Sequence, residues 1–149
     1  MDRLYSFFSS STIRWEILLK ANVRVKRACP TRWSARHDAV EAVSTNFSEI
    51  VDALEALTEE PFNKETRAEA IQLQKDITTF LFVAFLKFWG NILQPIQRSQ
   101  KVLQDPNVDV VKAANTLSNL AEHLENEREE RTEEALKVRY AYALLWSIP

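Results

Sequence analysis

Few side chains in this sequence carry chemistry beyond charge. Cys29 is the only cysteine, and His37 and His123 are the only histidines. A Cys–His–Asp hydrolase can be written from Cys29, His37 and Asp38, but no oxyanion element stands beside them, and the triad is set aside. One Cys and two His at these separations match no zinc spacing, so the three read as ordinary residues and no metal or cofactor is expected. Asp38 with Glu41, and Asp52 with Glu55, stand one helical turn apart. Such pairs are ordinary surface chemistry, whereas two-metal phosphoryl transfer needs carboxylates converging from several elements. The single glycine, Gly90, leaves no P-loop and no GxGxxG. A lone Cys excludes an internal disulfide and suits a reducing compartment, cytosol or nucleus. The chain by itself is expected not to be an enzyme.

The charge map is more informative. Residues 14–37 hold Arg14, Lys20, Arg24, Lys26, Arg27, Arg32 and Arg36 against Glu16 alone, a local net of +6. Residues 38–149 carry 11 basic and 19 acidic side chains, a net of −8. Such asymmetry points to a polyanion at one end. With Trp15 and Trp33 interleaved, the basic residues can neutralise phosphates while indoles stack on unpaired bases. Composition alone favours the plainer alternative, in which the tryptophans are core and the basic residues a solvated loop.

The elements that would position these groups are helical. At 149 residues, with 46% apolar and 27% charged residues, the chain suits one small domain with a core. Scarcity of Gly leans it to helix, and no period-two pattern persists, so the expected fold is all-α, an irregular bundle of about five to seven helices. Residues 2–22 suit two short helices divided at Ser9–Ser10–Ser11, with the serines capping the second. After a basic loop ending at Pro30, Thr31 is placed as the cap of a long helix from near Trp33 to about Thr58. Its apolar positions, Val40, Val43, Phe47, Ile50 or Val51, Leu54 and Leu57, recur at steps of three or four.

Glu59, Glu60 and Pro61 end that helix, and Asn63 caps the next. Ala68, Ile71, Ile77, Phe80, Leu81, Ala84 and Phe88 trace its expected inner face. Phe82, Phe85 and Trp89 make its other side apolar too, which reads as a central helix buried all round. Its most apolar run, residues 80–86, is too short for a membrane span. Pro95 is expected to kink or end the helix nearby, Asp105–Pro106–Asn107 to form a turn, and a last amphipathic helix to carry Val111, Ala114, Leu117, Leu120 or Ala121, and Leu124. Residues 125–134 hold six Glu and two Arg, a solvated run. Residues 135–149 are apolar and aromatic.

Two segments, YSFFSSSTIRWEIL at 5–18 and KRACPTRWSARHDAVEAVSTNFSEIVDAL at 26–54, resemble the middle of transposase-like proteins of the hAT superfamily. The branch they resemble is that of the zinc finger MYM-type and TTF-type domain-containing proteins. FLKFWGNILQPIQRSQKVLQDPNVDVVKAANTLSNL at 85–120 is similar to the same branch, and the resemblance spans roughly residues 4–125. It implies an all-helical insertion within an RNase H-like catalytic domain, and a nuclear location. In that family three acidic residues bind divalent metals, two before the insertion and a Glu after it, and a Cys-x-x-His motif lies upstream. The family's Arg–Trp pair, whose Trp is associated with the flipped base of the excision hairpin, resembles Arg32–Trp33.

By the same resemblance the metal-binding acids, the Cys-x-x-His motif and any zinc module fall outside this chain, and residues 126–149 depart from the pattern. The expectation is a catalytically incomplete fragment, from a truncated or decayed element, that associates weakly with single-stranded or hairpin DNA. Arg24, Lys26, Arg27, Arg32, Trp33 and Arg36 are the expected contact residues. The alternatives are a helical interaction or assembly module, or a remnant without a selected role. The resemblance further implies that Leu4, Phe7, Phe8 and Trp15 were shaped to pack on the absent catalytic domain. Left uncovered, they would drive self-association.

Overall fold

The computed structural model describes residues 1–29, 33–59, 61–130, 132–133 and 137. Among them the regular elements are helices: α1 (Asp2–Ser9), α2 (Thr12–Lys20), α3 (Trp33–Thr45), α4 (Phe47–Ala56), α5 (Lys64–Ile77), α6 (Phe80–Leu103) and α7 (Val110–Asn126). The all-α expectation holds among these residues. Residues 126–149, expected to depart from the family pattern, lie mostly outside them, as do Pro30, Thr31 and Arg32.

The break between α1 and α2 lies at the serines, but they do not cap α2. Ser11 occupies the N-cap position without a side-chain hydrogen bond. The Ser10 and Ser9 hydroxyls donate backward instead, to the carbonyls of Phe7 and Ser6, and so close α1. Helix α2 ends in a Schellman motif. Asn22 adopts a left-handed φ of 57°, its N–H donates to Leu19 and that of Val23 to Leu18, and Leu18 and Val23 are both buried.

The long helix expected from Trp33 to about Thr58 is two helices. Asn46 interrupts it at φ −117°, ψ 34°, its side-chain amide donating to the carbonyl of Ala42 at 2.8 Å. An Asn side chain competes with the helical ladder for backbone partners, and periodicity of apolar residues carries no record of that competition. Among the described residues the longest helix is α6, with 24 residues.

Asn63 caps α5, accepting from the Thr66 N–H at 2.7 Å. The helix expected to continue from there past Trp89 stops at Ile77. Thr78 and Thr79 donate their hydroxyls to the carbonyls of Gln74 and Asp76, and Thr79 then caps α6 by accepting from Phe82. Helices α5 and α6 are bent by 63° at this point. The bend changes which side faces inward. The buried positions are Ala70, Leu73, Ile77, Ala84, Leu86 and Leu93. Ala68 and Ile71 are exposed, and so are Leu81 and Phe85, at 62% and 52%. Helix α6 is therefore open on one side, because α3 covers one of its faces and α7 only part of the rest. Pro95 lies within α6 without ending it. No single helix among the described residues is long and apolar enough to cross a membrane.

The core joins α1, α2, α4 and α5, with Val43 of α3 and Leu86 of α6 reaching into it. Leu4, Phe7, Phe8, Leu18, Val23, Val25, Ile50, Leu54, Leu57, Leu73 and Ile77 form one buried cluster, with Trp15 and Tyr5 packed at its edge. Leu4, Phe7 and Phe8 are thus covered by the chain's own helices, contrary to the expectation that they await another domain. Arg3 to Asp76 at 2.8 Å and Arg14 to Glu69 at 3.6 Å tie this N-terminal hairpin to α5. Helix α3 packs along α6, and α7 lies on the far side of α6 with no buried residue.

Candidate nucleic-acid interface

Residues 23–29 run between α2 and α3 without regular structure, and the side chains of residues 23–26 alternate between core and surface. Val23 and Val25 are buried in the core, which turns Arg24 and Lys26 outward, and Arg27 is exposed beside them. The apolar alternation, a strand-like device, is what holds the basic side chains at the surface.

The six expected contact residues are not equivalent. Arg24 and Arg27 are exposed. Arg27 borders a cavity of about 260 Å³ with Asp2, Tyr5 and Cys29. Lys26 is engaged, its Nζ 3.0 Å from Asp38 Oδ2. Arg32 lies outside the described residues. Trp33 opens α3 and is 46% exposed. Arg36, one turn on, places its guanidinium 5.1 Å from the centroid of the Trp33 ring. The other tryptophan of the basic segment, Trp15, meets Tyr5 edge-on at 6.2 Å and packs against the core. Arg14 is likewise withdrawn, lying over the Phe7 ring at 4.5 Å.

One partner of Trp33 was not legible in the sequence. Packing of α3 on α6 brings Trp89 to the same cavity, of about 200 Å³, lined by Trp33, Arg36, Val40, Trp89, Leu93 and Ala28 among others. Trp89 reads as core in the sequence, yet it is 41% exposed. The cavity is below the roughly 300–1,000 Å³ of pockets for drug-sized ligands. Ala28 lines both this cavity and the one beside Arg27, so the aromatic cleft and the basic segment adjoin.

A second cluster lies on the next turn of α3. His37 is buried, and Asp38 and Glu41 flank it. Lys26, hydrogen-bonded to Asp38, holds that carboxyl below its ordinary range, with His37 adding to the effect and partial burial opposing it. Gln97 of α6 donates to Asp38 Oδ1 at 3.3 Å. In the sequence Asp38 and Glu41 read as a surface pair, with no His37 ring placed between them. The available signal was the His37–Glu41 spacing of four, which puts both on one helical face.

No known protein family, curated protein or solved structure matches the chain.

Proposed function

We propose that the chain is a catalytically incomplete, hAT transposase-derived fragment that associates with DNA through its basic, tryptophan-containing N-terminal segment. The observation that supports this reading most is the half-exposed Trp33 with Arg36 over its ring, beside outward-turned Arg24 and Arg27. Cations supply sequence-independent attraction to phosphates, and an open indole supplies a stacking face for an unpaired base. The acidic remainder of the chain repels duplex that strays over it, so affinity falls in the non-specific range of about 10⁻⁴–10⁻⁶ M. In this reading the chain catalyses nothing, binds no cofactor for chemistry, and belongs in the nucleus. The test is a salt titration of binding to a DNA hairpin, a single strand and a blunt duplex. Binding to the first two that exceeds duplex binding and weakens steeply with salt is the expected result. Salt-independent or absent binding sinks it.

A second reading, an assembly module, has its own observation. Leu81, Phe85 and Trp89 on α6 and Val110, Val111 and Leu117 on α7 are large, apolar and exposed. Self-association that Phe85→Glu abolishes, without DNA binding, favours this reading over the first.

A further inference from the structure

Helix α3 holds a feature that neither DNA binding nor core packing uses. The His37 side chain is 9% exposed, and its Nδ1 makes no hydrogen bond. That atom lies 3.6 Å from Asp38 Oδ1 and 3.7 Å from Glu41 Oε2. Both separations are too long for hydrogen bonds. They approach instead the edge of a tetrahedron around a metal bound at about 2.0–2.2 Å, which is roughly 3.4 Å. A buried ring nitrogen without a partner is costly, and here it is aimed between two carboxylates.

We propose that His37, Asp38 and Glu41 form a binding site for one divalent first-row transition ion, Zn²⁺ foremost. The ligand atoms all lie within 4.8 Å of one another, so small side-chain rotations bring them onto one ion. One imidazole with two carboxylates suits zinc, manganese or cobalt rather than magnesium or calcium, which take oxygen ligands. Asp38 divides its oxygens: Oδ2 keeps Lys26 while Oδ1 faces the site and accepts from Gln97, which orients the carboxylate toward the ion. A cavity of about 180 Å³ borders His37 and Glu41, with Ser44, Gly90, Asn91 and Gln94 on its wall, and has room for water as the remaining ligand. Lys87 also borders the cavity and, with Lys26 on Asp38, opposes the ion, so the two carboxylates bind it against two nearby ammonium groups. The chain's other His–Glu pair lacks this construction. His123 and Glu127 already stand at 3.1 Å, and the histidine is exposed by 42%. Three ligands from a single helix hold one ion, not the pair that phosphoryl transfer uses.

The test is Zn²⁺ binding to the full chain by isothermal titration, with Cys29→Ser to remove the thiol. One equivalent should bind and raise the melting temperature. Glu41 is 61% exposed, so Glu41→Gln leaves folding intact, and it should weaken binding about tenfold or more. His37→Ala should abolish binding; should that variant fail to fold by circular dichroism, Glu41→Gln carries the test. His123→Ala should change nothing. Absence of saturable binding, binding undiminished by Glu41→Gln, or binding lost with His123→Ala each overturns the proposal.

Discussion

The guanidinium of Arg36 lies 5.1 Å from the centre of the Trp33 indole, three residues back along α3. This spacing places the two side chains one turn apart on one helical face, and the cation on the ring limits the rotamers of both. An indole held in this way at the mouth of a cleft is prepared to stack. Trp33→Ala should therefore weaken hairpin binding by about 1–3 kcal/mol, the cost of losing one stacked base, and weaken duplex binding less. Arg24→Ala with Arg27→Ala should weaken both alike and flatten the salt dependence. Titrations of the three proteins against hairpin and duplex DNA decide this. Equal losses on both ligands with Trp33→Ala, at unchanged helical content, would make Trp33 a packing residue only.

Asp38 gives the acid limb of stability a local source. Its carboxyl is depressed in the folded chain, chiefly by Lys26. The stability it contributes is therefore fully present above the unfolded value near 3.9, and is lost as pH falls through the lower folded value. The pair is partly exposed, so its worth is about 1 kcal/mol or less. In metal-free buffer, Asp38→Asn should make unfolding free energy less steep in pH between about 5 and 3. A denaturation series with an unchanged slope would show that Lys26 does not hold the carboxylate in solution.

The N-terminal hairpin should behave as core. Phe8 is fully buried and meets the Phe7 ring edge-on at 5.2 Å. Phe8→Ala should cost about 3–5 kcal/mol, whereas Ile13→Ala, at an exposed site, should stay within about 0.5 kcal/mol. Urea unfolding measures both. A small loss at Phe8 would mean that α1 and α2 do not dock as described.

Gly90 offers a gain. A Cβ built there meets only Val40 Cγ1, at 3.9 Å, an ordinary contact between α6 and α3. Gly in a helix interior costs about 1 kcal/mol relative to Ala. Gly90→Ala should raise stability by about 0.5–1 kcal/mol, read as a higher urea midpoint at constant slope. A drop would place α3 closer to α6 than this packing allows.

Composition and periodicity determined the helical class, because a chain with one glycine and apolar residues at steps of three and four has no other regular way to bury them. Local caps were legible as well: Asn63 before α5 and the Asp105–Asn107 turn are fixed by side chains bonding backbone a few residues away. So was the start of α3 near Trp33, though not the exposure of its indole. Tertiary structure decided the rest. A stripe of apolar residues marks a face but not its cover, so Leu81 and Phe85 looked buried and are open, while Leu4, Phe7 and Phe8 looked stranded and are enclosed. Nothing local could pair Trp33 with Trp89, since only the packing of α3 on α6 brings them to one cleft. His37 read as an ordinary residue for the same reason. Burial stripped its ring nitrogen of water and set it between Asp38 and Glu41, and burial is a property of the whole assembly of helices rather than of any one of them.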